Sequence, residues 1–285
     1  MRHCFLLLCV FQMLIGNLWA QSPWNLTKGQ KYFQLNTSLI SYRSLFYENS
    51  DEILLYQPIT DFTLNLVGEY SFKDDFIVLA RVPLKIYLIG EKDSNLPSTA
   101  NPLNIEPGYF SAFGNVEVGI RKVLFNIRDY KLSTQVLVQF PTGSQDINRG
   151  LSTGYNAMAL FSSLTLGKIF ESFHFFLSTS IYFRNNRYSD GLEAWVEFGY
   201  RPLKKLLIMG MLDWMGSMEN GNLTVPARRS LTGTFVNNQS YLAYGFKVNY
   251  ELKDYLSLNS GFNGAIRGHF VAKSPSLNLG VSVKF

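Results

Sequence analysis

The sequence predicts an all-β protein, an antiparallel up-and-down transmembrane β-barrel of about twelve strands. Three observations predict it. Apolar and polar residues alternate with period two along most of the 285-residue chain, and that is the strand signal because successive side chains leave opposite faces of the pleat. Short charged turns alternate with long loops rich in Gly, Pro, Asn and Ser, the asymmetry of outer-membrane barrels. Charged residues make up only 16% of the chain and aromatics 15%, against ~25% charged residues in an ordinary soluble domain.

The first segment, MRHCFLLLCVFQMLIGNLWAQS, has a basic start at Arg2 and His3, an apolar run from Phe5 to Ile15 and a small residue at Ala20. This is the grammar of a secretory signal peptide over residues 1–20, cut near Ala20–Gln21. It leaves one domain over residues 21–285. Leu8 before Cys9 is not the small residue a lipid-attachment site requires. Both cysteines lie in this segment, so disulfides and thiolate chemistry are not expected in the remainder. Arg2 is the segment's only Lys or Arg, so its removal takes the net charge from +5 to +4. The basic residues are scattered, which argues against nucleic acid as a partner.

The strands follow in order. Phe33–Tyr42 alternates weakly. In TDFTLNLVGEYSFKDDFIVLARVPLKIYL, one row carries Phe62, Leu64, Leu66, Tyr70 and Phe72, and after a Lys-Asp-Asp turn Phe76, Val78, Val82, Leu84, Ile86 and Leu88. The opposing row carries Asp61, Glu69, Arg81 and Lys85. Further on, Val116, Val118 and Ile120 alternate with Glu117 and Arg121, and Leu132, Val136 and Phe140 with Ser133 and Gln135. Phe173 to Phe183 alternates with His174, Ser178, Ser180 and Arg184; Leu192 to Tyr200 with Glu193, Trp195, Glu197 and Arg201; Leu242 to Tyr250 with Lys247; and Leu277 to Phe285 with Asn278, Ser282 and Lys284. Weaker segments at Tyr155–Leu166, Leu206–Trp214 and Tyr255–Phe262 complete the set. The expected long loops are Ser44–Pro58, Glu91–Phe113, Pro141–Gly154, Asn185–Gly191, Ser217–Gln239 and Arg267–Pro275.

A soluble sandwich would also alternate, but its dry core could not hold this many charges; a water-filled lumen can. Aromatics such as Tyr70, Phe72, Phe125, Tyr130, Phe173, Tyr200, Tyr250 and Tyr255 crowd the short turns, as rings do at a bilayer interface. The expected lumen-lining residues are Asp61, Glu69, Arg81, Lys85, Glu117, Arg121, Arg184, Glu193, Glu197, Arg201 and Lys247. Rows of opposite charge there would set up a transverse field. Lys122 breaks the oily face near a strand end, where its stem can snorkel.

Catalytic, cofactor and metal sites are not expected. His174 has no serine within hydrogen-bond reach along its own strand, since Ser178 is roughly 13 Å away by strand rise. Glu193 and Glu197 stand a similar distance apart, beyond the ~5–9.5 Å of glycosidase carboxylates, and are expected to pair with bases such as Arg184. Metal ligation lacks a cysteine, a histidine pair and an acid-rich loop.

The stretches EYSFKDDFIVLARVPL, GNVEVGIRKVLF and LVQFPTGSQD, in this order, resemble the outer-membrane family associated with meta-pathway phenol degradation, a relative of the long-chain fatty-acid transporter barrels. The likeness covers roughly residues 59–150, and LNLGVSVKF at the C-terminus resembles the closing strand of bacterial outer-membrane barrels. The resemblance implies a channel for small, rather hydrophobic or aromatic molecules, with outer-membrane lipid around it. The transporters resemble a fourteen-stranded barrel with an N-terminal plug, whereas here about a dozen residues lie between Gln21 and the first expected strand, so no binding residue is carried over. The expected protein is a monomeric outer-membrane channel. The alternatives are an interaction barrel with a filled lumen and a lipid-modifying enzyme.

Overall fold

The computed structural model describes residues 26–48, 51–93 and 105–285; the expected signal peptide lies outside them. The elements run β1 (Lys31–Phe46), β2 (Glu52–Lys73), β3 (Phe76–Ile89), β4 (Gly108–Phe113), β5 (Val116–Ile127), β6 (Tyr130–Phe140), β7 (Gln145–Asp146), β8 (Leu151–Ser152), β9 (Ala159–Phe170), β10 (Phe173–Arg184), β11 (Gly191–Leu203), β12 (Leu206–Ser217), α1 (Ala227–Thr232), β13 (Ser240–Lys253), β14 (Leu256–His269), β15 (Val271–Ala272) and β16 (Ser276–Lys284). Twelve of them, β1–β3, β5, β6, β9–β14 and β16, form a closed antiparallel barrel. Each strand pairs with its sequence neighbours, and β1 closes the ring on β16 from Tyr32↔Lys284 to Ile40↔Ser276.

The period-two pattern decides which face is which. Leu66, Val136, Leu164 and Phe198 are 45–51% exposed on the outside, whereas Glu117 and Arg121 are 1% and 4% exposed. An inverted protein of this kind, oily outside and ionised inside, is stable only against hydrocarbon. The predicted ring of aromatics is present: Tyr70, Phe72, Tyr130, Phe173, Tyr200, Tyr250 and Tyr255 are all exposed at the short-turn end. Lysines lie over several of these rings, including Lys168 over Tyr130 at 4.2 Å and Lys122 over Phe76 at 5.1 Å. Lys122 thus faces outward, with its ammonium drawn to the interface.

Two expectations need correction. The predicted loop Ser44–Pro58 is mostly strand, because β1 and β2 remain paired out to Phe46↔Glu52 beyond a bulge at Tyr42/Ser44. Alternating Ile53, Leu55, Gln57 and Ile59 sustain the extension, and Leu55 and Ile59 pack with Tyr42, Leu45, Tyr87 and Ile89 in an apolar cluster. Lys273 ties the extension to the loop before β16 through Glu52, and this bond holds the Glu52 carboxyl below its usual range. That contribution is present at neutral pH and fades as pH falls through the lowered value. The end of the predicted loop Glu91–Phe113 is also strand, β4, whereas β5 begins at Val116 as expected. β3 pairs with β5 up to Arg81↔Glu117 and with β4 from Leu84↔Phe113. Between them lies an extra residue, a bulge. It falls where Pro83 has no N–H to donate. Gly114 N–H donates to the Pro83 carbonyl at 2.8 Å, and a side chain at Gly114 would meet the Pro83 ring and the Thr153 carbonyl, each at 2.8 Å.

The long-loop end folds inward. α1 sits in the loop between β12 and β13, and its buried Arg229 donates to Tyr188 Oη and to the carbonyls of Thr234 and Phe235. Tyr42 Oη on β1 donates to the Thr232 carbonyl at 2.7 Å. Phe235 packs edge-on against Tyr155 and lies 5.6 Å from Lys85 Nζ, so this loop reaches down into the mouth.

Leu164→Lys, at the centre of the outer face of β9, is expected to destabilise the folded barrel by about 2–4 kcal/mol. Denaturant unfolding in lipid vesicles measures this; a change near zero would mean that the position does not face hydrocarbon.

Candidate functional site in the barrel interior

The interior wall is built from the polar rows, and strand register decides which charges meet. On β2, β3 and β5 they meet in pairs. Lys85 Nζ donates to Asp61 at 2.7 Å and to Thr63 Oγ1 at 2.9 Å. Arg81 and Glu117 stand opposite in register and bond at 2.6 Å, and Gln139 of β6 donates to the same carboxylate oxygen at 2.7 Å. Arg121 reaches past β3 from β5 to Glu69 on β2, at 3.1 and 3.3 Å, with Gln135 accepting from its Nε at 3.0 Å. On this wall the charges are neutralised locally: each of Lys85, Arg81 and Arg121 finds its acid on a nearby strand.

The opposite wall is less compensated. His174 Nε2 contacts Glu197 at 2.8 Å, and Gly199 leaves the room for its ring, since a Cβ there would lie 2.0 Å from the imidazole. Arg201 pairs with Glu251 at 2.7 Å near the short-turn opening. Lys247 on β13 makes no hydrogen bond or ion pair among the described residues. Nor does Glu193, against the expectation that it pairs with Arg184. Arg184 is instead laid between two rings, 3.8 Å from the centre of Tyr155 and 4.2 Å from that of Tyr182. Cation–π attraction takes the place of an ion pair there.

Sequence reasoning missed three features. Asp213 shares the interior row of Met209, Met211 and Met215 and accepts a bond from Tyr241 at 3.1 Å. Its phase with those methionines is the signal that was available in LLIMGMLDWMGS. Phe176 also faces inward, its centroid 6.4 Å from that of Trp195, which the alternation had already put on the inner row. Finally, Leu79, Leu137, Phe161, Tyr182 and Met215 form an apolar cluster inside the barrel.

Among the described residues, cavities open inside the barrel. One of about 560 Å³ lies at the short-turn end, among His174, Phe176, Trp195, Glu197, Met209 and Lys247. Another of about 220 Å³ lies beside Asp61, Lys85, Met211, Asp213 and Tyr241. His174 stacks on Phe176 at 4.6 Å, while Ser178 is hydrogen-bonded to Thr165 at 2.8 Å. The histidine thus has an acid partner, and the serine on its face is engaged elsewhere. Among the described residues no cluster of three or more His, Cys, Asp or Glu could hold a metal ion.

No family model and no curated protein matches the chain in sequence. Solved structures match in fold. A COG4313 outer membrane channel from Pseudomonas putida F1 superposes with a TM-score of 0.73 at 14% identity, covering 94% of this chain and 100% of that one. The KdgM porin in complex with disordered oligogalacturonate gives 0.52 at 9% identity, with 89% and 99% covered. The β domain of the Bordetella autotransporter BrkA gives 0.51 at 12%, with 90% and 100% covered. At such identities the likeness is one of fold. It defines the class: a transmembrane β-barrel with the fold of outer-membrane barrels, its apolar exterior suited to lipid. The barrel fold implied by the resemblance in residues 59–150 is thereby borne out.

Arg121→Met is expected to cost about 3–5 kcal/mol, because it strands the Glu69 carboxylate in a buried site. Arg121→Met combined with Glu69→Met should recover most of that loss. Denaturant unfolding of the three variants in lipid vesicles measures both; additive losses would show that the two groups are uncoupled.

Proposed function

We propose that this barrel is a monomeric passive channel that carries small molecules across the outer membrane, with the eleven charged residues predicted for the lumen shaping its path. The observation that carries the reading is the cavity of about 560 Å³ at the short-turn end, walled by ionisable and aromatic side chains inside a closed cylinder. A barrel that served only as a membrane anchor could fill this space with side chains. Fixed charges facing water order polar solutes in a constriction, and here they are held in place by their partners. The fold shared with the COG4313 outer membrane channel over nearly the whole of both chains supports the same reading. The inward-facing Phe176, Trp195 and Met209 suit the small, partly hydrophobic or aromatic solutes that the sequence resemblance implies.

A second reading is an interaction barrel with an occluded lumen. It is favoured by the apolar cluster around Phe161, Tyr182 and Met215 and by the loop folded into the mouth. Planar-bilayer recording separates the two. The channel reading expects discrete current steps from purified barrel, together with swelling of liposomes in small solutes. A barrel silent at every voltage and impermeable in liposomes would overturn it and leave the loops as the working part.

A further inference from the structure

We infer that the short-turn cavity is a binding site for a small aromatic carboxylate, with Lys247 as its anion partner and Phe176 and Trp195 as its ring platform. This rests on the channel reading and adds the chemical class of the solute.

The charges in and around the cavity lead to Lys247. His174 and Glu197 engage each other at 2.8 Å, and Arg201 and Glu251 engage each other at 2.7 Å. Glu171, Asp254 and Lys284 belong to the rim, in the turns or at the end of β16. Lys247 alone among the described cations that line the cavity's inner wall has no hydrogen bond or ion pair; Glu197, which acts on it through space, is already held by His174. An ammonium with three donors and no fixed acceptor is a receptor for an anion supplied from outside.

Register clears the space in front of it. Lys247 pairs with Met209 on β12 and with Gly261 on β14, and Met209 pairs with Gly199 on β11. Two of the four positions in this row are therefore glycines; the His174 ring fills the space at Gly199, and Gly261 adds no side chain beside the lysine stem. Trp195 stands on β11, two strands across from Lys247 and four residues along from its row-mate Gly199, which is about 16 Å between backbones by strand spacing and rise. The lysine stem and the indole reach toward each other from the two ends of that span, both lining the same cavity, and leave a gap suited to a single ring bearing a carboxylate. Phe176 and Trp195 incline to each other at 34° with centroids 6.4 Å apart, and His174 extends the platform by stacking on Phe176 at 4.6 Å. Flat aromatic surfaces bind an aromatic ring by offset stacking or edge contact. The cavity volume of about 560 Å³ falls in the range of small-molecule sites, roughly 300–1,000 Å³. A purely apolar solute would leave Lys247 unused, a ringless anion would leave the platform unused, and a cation would meet inner-wall carboxylates, Glu197 and Glu251, that are both already engaged.

Calorimetric titration of the detergent-solubilised barrel with benzoate, benzylamine and acetate tests the assignment. Benzoate should bind saturably, and benzylamine and acetate at least tenfold more weakly. Lys247→Met should weaken benzoate at least tenfold. Heat-modifiable migration on gels shows whether that variant is folded; should it not be, the ranking of the three solutes on the unaltered barrel decides. Absence of saturable benzoate binding, benzylamine binding as tightly as benzoate, or a folded Lys247→Met with unchanged benzoate affinity would each overturn the site. Binding is read without current. A barrel that binds benzoate but never conducts contradicts the channel reading alone, and one that conducts without ranking the solutes contradicts the site alone.

Discussion

Every backbone N–H and C=O that faces the hydrocarbon must find its partner within the protein, and the seam between β1 and β16 is what makes that possible. Lipid offers no hydrogen bonds, so an open sheet edge in the membrane would carry a row of unsatisfied groups at several kcal/mol each. The nine residue pairs from Tyr32↔Lys284 to Ile40↔Ser276 remove that edge. Lys31 and Phe285 finish the seam with reciprocal backbone bonds of 2.6 and 3.0 Å at the short-turn end. Once the ring is closed, the alternation of side chains has only one workable sense. The row containing Leu66 and Leu164 must face lipid, and the row containing Glu69 and Ser163 must face the axis.

Closure also creates the chemistry of the interior. Folding polar rows into a narrow cylinder brings acids and bases from adjacent strands within reach, and the protein largely neutralises one wall in this way. Asp61, Glu69, Arg81, Lys85, Glu117 and Arg121 form three ion pairs across β2, β3 and β5. Such pairs add little net stability over apolar packing, but they fix positions and penalise the loss of either partner. The wall formed by β10–β13 differs, carrying aromatic rings, methionines and charges that lack fixed partners. This asymmetry gives the lumen a side that can respond to a solute.

Much of the fold was legible because period-two patterning against lipid is strict: one misplaced charge on the outer face costs more than most soluble surfaces ever impose. Glu117, Glu197 and Lys247 could be assigned to the inner row from parity alone. Partnership was not legible, because it depends on register, which one residue of slip would change. Glu193 illustrates this: Arg184 lies on the adjacent strand, yet it is captured by Tyr155 and Tyr182, and Tyr155 comes from a loop whose path no local pattern encodes. The extension of β1 and β2 was hidden for a related reason. Pro58 and the polar residues around it read as a loop, but tertiary packing of Leu55 and Ile59 against Tyr42 and Tyr87 holds the strands together. The bulge at Gly114 needed the position of Pro83 on the neighbouring strand.

The claim that ions face the axis and oil faces the bilayer is tested most directly by spin labels placed one at a time along β9, from Leu160 to Leu166, in the barrel reconstituted in lipid. The account predicts that labels at Leu160, Leu164 and Leu166 collide preferentially with dissolved oxygen, and that labels at Phe161, Ser163 and Thr165 are shielded from it and turned toward water-soluble nickel chelate. The opposite phase, or no alternation at all, would contradict it.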